Sequence, residues 1–260
     1  MAFAWAMWQI RGFEGRRRVA AMKLGRLIGR APDPEPLSLE LRALEGGSLW
    51  VRPGTSDLDM AFFNFRGRIV FPPSELAGRP LKQIVELGSN GGSGLAGLAV
   101  AYPDARLLGV EPDPETAAIA KRNAGQFGDR CTLVQAAIWD ESADLVIEGD
   151  EALGYTVRPL GPKDPADTIT IPGLSVDDLL ARHMPEGAID YMAVTIEGTE
   201  PRMLSTAASW IDRVACIKVE FHPYYGFHEA DCIEMLRGFG FRTWVEPAYG
   251  GWGVGIRDAS

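Results

Sequence analysis

Cysteine is scarce in this 260-residue sequence. There are three, Cys131, Cys216 and Cys232, an odd number with no two closely spaced. That argues against a disulfide framework and against a cysteine-based zinc site. Cys131 and Cys216 lie in apolar runs and read as small core residues, and a reducing cytoplasm is the compartment that fits. Basic residues are also in deficit: 26 Lys and Arg against 35 Asp and Glu leave a net charge of −9. A broad phosphate-binding face needs a surplus of Lys and Arg, so no nucleic-acid partner is expected. No stretch stays apolar for the length that crosses a bilayer. The apolar residues 1–10 precede an arginine cluster instead of following one, the wrong order for a secretory signal. What remains is ordinary globular composition, 46% hydrophobic and 23% charged, enough to bury a full core.

The first 30 residues break the acidic balance. Arg11, Arg16, Arg17, Arg18, Lys23, Arg26 and Arg30 stand against a single acid, Glu14. Trp5, Trp8, Phe13, Val19, Leu24 and Leu27 interleave with them. The pattern predicts one or two short amphipathic helices, because Gly12, Gly15 and Gly25 disfavour a single long one. Two roles stay open. The segment packs on the main domain or on a second subunit of a homo-oligomer, or it docks on an anionic membrane surface or a partner. Three alternating prolines in residues 31–36 cannot continue a helix. Residues 1–36 are therefore read as an N-terminal helical extension with a linker, and residues 37–260 as the main domain.

From residue 81 strand and helix alternate. Strands are expected at 83–87, 106–110, 131–137, 189–196 and 214–221. Helices are expected at 94–102, 114–126, 175–183, 200–210 and 228–239, with a closing strand pair at 242–246 and 252–257. Pro114 in a first turn, and Ser175 before Asp177 and Asp178, mark two of the helix starts. Residues 140–170 read as a β-rich insertion. The alternation is that of an α/β, Rossmann-like fold with a parallel sheet and covering helices.

The segment Glu86-Leu87-Gly88-Ser89-Asn90-Gly91-Gly92 joins the first of these strands to its helix. Glycines there let the backbone approach a ligand, and the helix N-terminus offers unpaired N–H groups. Glu111 ends the next strand, 23 residues after Gly88, where an acid can accept from both hydroxyls of an adenosine ribose. A dinucleotide site carries glycine at the position of Asn90 to admit the pyrophosphate. S-adenosylmethionine has an amine and a sulfonium and no phosphate, so a loop opened by Glu86 suits it better. The cofactor expected is S-adenosylmethionine. A nicotinamide-dependent oxidoreductase is the less favoured reading, and the sequence has no Tyr-x-x-x-Lys pair to support it.

Several blocks, in order, carry a family resemblance. They are Arg52-Pro53-Gly54-Thr55-Ser56-Asp57, the Glu86 to Gly92 loop, Gly109-Val110-Glu111-Pro112-Asp113-Pro114 with Asn123 downstream, and Ala136-Ala137-Ile138-Trp139. Further on come the segment 171–180, Ile196-Glu197-Gly198-Thr199-Glu200, and Val219-Glu220-Phe221-His222. This set resembles the FkbM-type S-adenosylmethionine-dependent methyltransferases, class I enzymes, over roughly four-fifths of the chain. The resemblance implies a seven-stranded, mostly parallel sheet with helices on both faces. It implies methyl transfer, typically to a hydroxyl of a sugar, polyketide or other small metabolite. By the same resemblance Gly88, Ser89, Asn90, Gly92, Glu111 and Pro112 belong to the cofactor site. Ala137 and Ile138 flank the adenine, and Thr55, Ser56 and Asp57 close over the methionine end.

The reaction needs alignment, exclusion of water and a base for the hydroxyl proton. Glu197, Glu220 and His222 all fall at expected C-terminal strand ends, where open α/β sheets bind ligands. His222 is the expected base because its ordinary pKa lies nearest neutrality. Glu220 would orient it or bind the acceptor. The three could in principle hold a divalent metal, though none is predicted. One departure stands out. The family reads Lys-Ile-Asp-x-Glu-Gly where this sequence has Ala193-Val194-Thr195-Ile196-Glu197-Gly198, losing two charges. The alternative is therefore a protein that binds the cofactor without catalysis.

Overall fold

The computed structural model of the protein describes residues 2–29, 35–149, 154–165, 167–247 and 250–257. Two helices, α1 (Ala2–Gln9) and α2 (Phe13–Leu27), begin it. They are broken at Gly12, whose φ of 75° suits glycine far better than other residues. A short antiparallel hairpin follows, β1 (Leu37–Glu40) with β2 (Ser48–Val51). Ile10 and Val19 are buried against Leu39, Leu49 and Ala96, so the hairpin, the inner side of α2 and the first crossover helix share a small core.

After α3 (Asp57–Phe62) the alternating units begin. They are β3 (Gln83–Leu87), α4 (Ser93–Ala101), β4 (Arg106–Glu111), α5 (Pro114–Gly125) and β5 (Cys131–Gln135). A side sheet interrupts them with β6 (Ala137–Ile138), β7 (Ala143–Glu148), β8 (Thr156–Pro159) and β9 (Ile171–Leu174). The alternation resumes with α6 (Val176–His183), β10 (Tyr191–Val194), α7 (Glu200–Ser205), β11 (Cys216–Glu220) and α8 (Glu229–Gly238). It closes on β12 (Arg242–Glu246) and β13 (Trp252–Ile256).

The main sheet has seven strands in the order β12-β13-β11-β10-β3-β4-β5. Only β13 runs antiparallel to its neighbours. This is the Rossmann-like, seven-stranded sheet that the resemblance implies. Successive side chains point to opposite faces of a strand. Val85, Leu108, Met192 and Ile217 face one core, around Trp210 and Leu179. Ile84, Leu107, Tyr191 and Cys216 face the other, around Leu95, Leu98 and Trp252. All three cysteines are buried free thiols, as core residues would be.

Three elements differ from the sequence reading. The strand expected at 131–137 divides, because β6 leaves the main sheet to pair with β9. The strand expected at 189–196 is regular only over β10, since the residues after it turn into the site. The helix expected at 200–210 stops at Ser205. The Ser205 and Thr206 hydroxyls bond carbonyls three residues back, which competes with the helical ladder. Among the described residues, no helix is long and apolar enough to cross a membrane.

Candidate active site

β3 pairs with β4 on one side and β10 on the other, so chain order reverses there. At such a switch point the loops beyond the strand ends part and leave a crevice. A cleft partly open to solvent lies at this edge. Gly88 and Asn90 line it from the β3 loop, and Glu111 and Pro112 from the end of β4. Ala136, Ala137 and Ile138 give it an apolar wall, and Thr195, Ile196 and Glu197 line it from the segment after β10.

Gly88 is required by contact as well as by conformation. Its φ is 88°, and a Cβ there would lie 1.8 Å from the carbonyl oxygen of Thr195. Asn90 is also left-handed, with φ 46°, and its backbone N–H donates to Glu111 Oε2 at 2.9 Å. The N–H of Asp113 donates to Glu111 Oε1 at 3.0 Å. Burial pushes the Glu111 carboxyl up to about 7, against the pull of these two N–H donors. Asn123 steadies the loop from behind, giving its amide protons to the carbonyls of Gly91 and Trp50.

Several expected cofactor residues do not line this cleft. Glu86 is buried under α4, so close that a Cβ on Gly94 would fall 2.1 Å from its Oε1. Burial raises this carboxyl to about 8, while the Ser89 side chain and the Leu95 N–H pull the other way. Glu86 therefore braces the start of α4 and does not line the cleft. Ser89 bonds the Glu86 carbonyl beside it, and Gly92 lets α4 pack on Ala120 of α5. Both hold the turn from outside the cleft.

Thr55, Ser56 and Asp57 also stand outside it. Asp57 is fully engaged by Arg52, through the backbone N–H, Nε and Nη2. It sits behind Gly91, 3.2 Å from where a Cβ would be. Thr55 donates to the Arg52 carbonyl. The same helix, α3, instead presents Met60 to the cleft. Met60 was not legible as a site residue, nor were Tyr155 and Val157, which the side sheet contributes. No motif marks these apolar residues, and only the path of the chain brings them there.

The expected catalytic trio does converge. His222 Nε2 lies 3.5 Å from Glu197 Oε2 and 4.0 Å from Glu220 Oε2. Its Nδ1 lies 2.7 Å from Glu200 Oε1, ion-pair distance, although the N–H does not point straight at the oxygen. Glu200 is wholly buried and accepts from the backbone N–H groups of Ile196 and Gly198. Sequence reasoning placed Glu200 in a motif without giving it this task. Its position as the last acid of Glu-Gly-x-Glu was the available signal. Thr195 Oγ1 donates to Glu220 Oε2 at 2.7 Å.

These contacts bear on the proton assignment made from sequence, in which His222 is the base. Burial alone would lower the imidazole, but Glu200, Glu197 and Glu220 outweigh it and hold His222 up at about 9. An imidazolium at neutral pH has no lone pair with which to accept a proton. Burial raises Glu197 to about 7, with His222 opposing and the two other carboxylates adding to the rise. Burial likewise raises Glu220, and the Thr195 hydroxyl opposes it. Of the trio only Glu197 lines the cleft, held there with φ at 49°. Both ring nitrogens of His222 face carboxylates. Among the described residues, no group of three or more His, Cys, Asp and Glu is arranged to hold a metal ion.

The two departures also have structural counterparts. Ala193 pairs in register with Lys218 of β11, which is buried and bonded to Glu246. Of the aromatic residues flanking His222, Phe221 and Phe227 enter the core, while Tyr224 is exposed and Tyr225 lies against Gly198.

No family model matches the chain. Over 96 residues it is 30% identical to the release factor glutamine methyltransferase of Geobacter sulfurreducens, a match covering 32% of this chain. The matched part spans about a third, 34%, of that relative's length. Solved structures similar to it include an O-methyltransferase family protein from Burkholderia thailandensis, with a TM-score of 0.47 and 11% identity, over 77% of this chain and 58% of that one. Another is a precorrin-6y C5,15-methyltransferase from Geobacter metallireducens, with a TM-score of 0.46 and 12% identity, over 75% and 88%. A third is the magnesium protoporphyrin IX methyltransferase of Synechocystis with bound SAM, with a TM-score of 0.44 and 16% identity, over 78% and 83%.

Proposed function

We propose that the protein is an S-adenosylmethionine-dependent O-methyltransferase of FkbM type, acting on a hydroxyl of a sugar, polyketide or other small metabolite. The observation that carries this reading is one cleft at the switch point that brings Asn90, Glu111 and Glu197 together. The residues present fit the cofactor. Glu111 is a buried acid for the ribose hydroxyls, and Ala136, Ala137 and Ile138 are an apolar wall for the adenine. Gly88 lets the loop after β3 pack against the Thr195 carbonyl at the edge of the cleft.

When bound, the cofactor supplies a methyl carbon activated by its sulfonium. The chain's own residues align the acceptor oxygen, exclude water and receive its proton. Glu197 is the base. It alone of the acid cluster reaches the cleft, and a carboxyl titrating at about 7 is poised for proton transfer near neutral pH. Glu197 would receive the proton that the acceptor hydroxyl gives up. His222 positions Glu197 as a fixed cation and offsets part of the penalty that burial imposes on the carboxylate. Glu200 in turn holds His222.

The decisive test is calorimetric titration with S-adenosylhomocysteine, followed by methylation assays on a panel of hydroxyl-bearing acceptors. Binding and Glu197-dependent turnover are expected. A protein that binds NAD and does not bind S-adenosylhomocysteine would overturn the reading.

A further inference from the structure

Helix α2 is apolar on the side turned away from the protein. Its inner side holds Val19, fully buried, together with Gly15, where a Cβ would fall 2.8 Å from Ile10 Cγ2. Close approach at Gly15 seats the helix on Ile10 and the β1–β2 hairpin. On a 3.6-residue helix, Phe13, Ala20, Leu24 and Leu27 fall together on the opposite side. Phe13 is 81% exposed and Leu27 83%, with Leu24 and Ile28 also out. Trp8 of α1 is exposed as well. A helix that served only to cover the domain would carry these residues inward.

Charge indicates what covers this stripe. Lys23 flanks it on one side and Arg17 on the other, and both are exposed. Arg11 and Arg18 are also exposed. The first 30 residues carry seven basic residues and one acid, in a chain of net charge −9. An anionic surface therefore attracts this segment and repels the rest of the molecule. Aromatic and leucine side chains between Lys and Arg are the chemistry of a helix lying in the plane of a lipid interface.

We propose that α1 and α2 dock the protein on an anionic lipid bilayer, with Phe13, Leu24 and Leu27 entering the headgroup boundary. The same helices touch the cleft's own wall. Trp5 meets Phe62 edge to face at 5.4 Å, and Phe62 belongs to α3, the helix that presents Met60 to the cleft. The docked element and the cleft are thus joined through α3.

The experiment is cosedimentation of the full-length protein with vesicles of phosphatidylcholine, with and without phosphatidylglycerol, at low and high salt. Binding is expected only with the anionic lipid, with release by salt. Arg17→Gln with Lys23→Gln removes two charges and is expected to lower the partition coefficient about thirtyfold. Leu24→Ser with Leu27→Ser is expected to abolish binding. All four positions are exposed, and circular dichroism checks that the fold is unchanged. Equal binding to neutral vesicles, or none to anionic ones at low salt, overturns the proposal. So does an oligomer that the Leu24→Ser/Leu27→Ser variant converts to monomer, since a second copy would then cover the stripe.

Discussion

The Thr195 hydroxyl and the Glu220 carboxylate, 2.7 Å apart, join the C-terminal ends of β10 and β11 beside the cleft. The FkbM resemblance places an acid at position 195. Here an aspartate would add a carboxylate at hydrogen-bond distance from Glu220, in a cluster that already sets Glu197, Glu200 and Glu220 around one imidazolium. Threonine supplies a donor instead.

Thr195→Val leaves the buried Glu220 oxygen without its donor. A loss of about 1–3 kcal/mol in unfolding free energy is expected, because the desolvated acceptor is no longer satisfied. Thr195→Asp is expected to cost at least as much above pH 7, and less at pH 5, where the added acid can hold a proton. Urea titrations at the two pH values check both variants.

The pH dependence of turnover follows from the cluster. In the proposed mechanism Glu197 loses its proton to act as base, so the rate is expected to rise as pH passes about 7. In the same proposal His222 keeps its proton to hold Glu197, so the rate is expected to fall as pH passes about 9. Replacing His222 with Gln removes the cation, which moves the acidic limb upward and abolishes the basic one. A pH–rate profile in which His222→Gln leaves both limbs in place would count against these roles.

Stability is expected to fall from pH 6 to pH 9. Glu86, Glu111 and Glu197 hold protons in the folded state to about 8, 7 and 7, whereas an ordinary carboxyl loses its proton near 4.5. Folded protein therefore binds more protons than unfolded chain over that window, and raising the pH favours unfolding. The raised pKa of His222, set first by Glu200, adds stability that is present below 6.5 and is lost as pH rises through about 9. Both contributions have the same sign. Denaturant midpoints at pH 6, 7.5 and 9 should decrease in that order.

Glu111→Ala is expected to weaken S-adenosylhomocysteine binding about tenfold to a hundredfold, the loss of hydrogen bonds to a charged group. The same change frees the N–H groups of Asn90 and Asp113, so the loop loses a brace as well as the proposed ligand contact. Calorimetry gives the affinity directly.

Gly88→Ala should be more damaging than its size suggests. The methyl would meet the Thr195 carbonyl at 1.8 Å, and the φ of 88° is strained for alanine. A loss of at least about 2 kcal/mol is expected from the backbone strain together with the clash. The midpoint of thermal unfolding reports it.

Regular elements with local signals were legible without the structure. Pro114 sits in the first turn of α5, Ser175 caps α6, and the β3–α4 and β4–α5 boundaries fall within a residue or two of expectation. The positions of Gly88, Asn90 and Glu111 on one crevice were legible too, because strand order and a glycine turn leave few places for them. What lines the crevice between those points was not. Met60, Tyr155 and Val157 come from a short helix and a side sheet, through contacts remote in sequence.

The sequence by itself determined the layered α/β fold, its glycine turn and the placement of Glu197, Glu220 and His222 at C-terminal strand ends. Those follow from periodicity, turn chemistry and spacing, which are properties of neighbours along the chain. Only the tertiary structure decided which groups share one cluster and which face the cleft. Glu200, Glu197 and Glu220 surround His222 in space and raise its pKa. Glu86 and Asp57 do not line the cleft because they pack against α4 and Arg52. Charge state and side-chain direction depend on burial and on partners distant in sequence, and the fold alone brings those partners within reach.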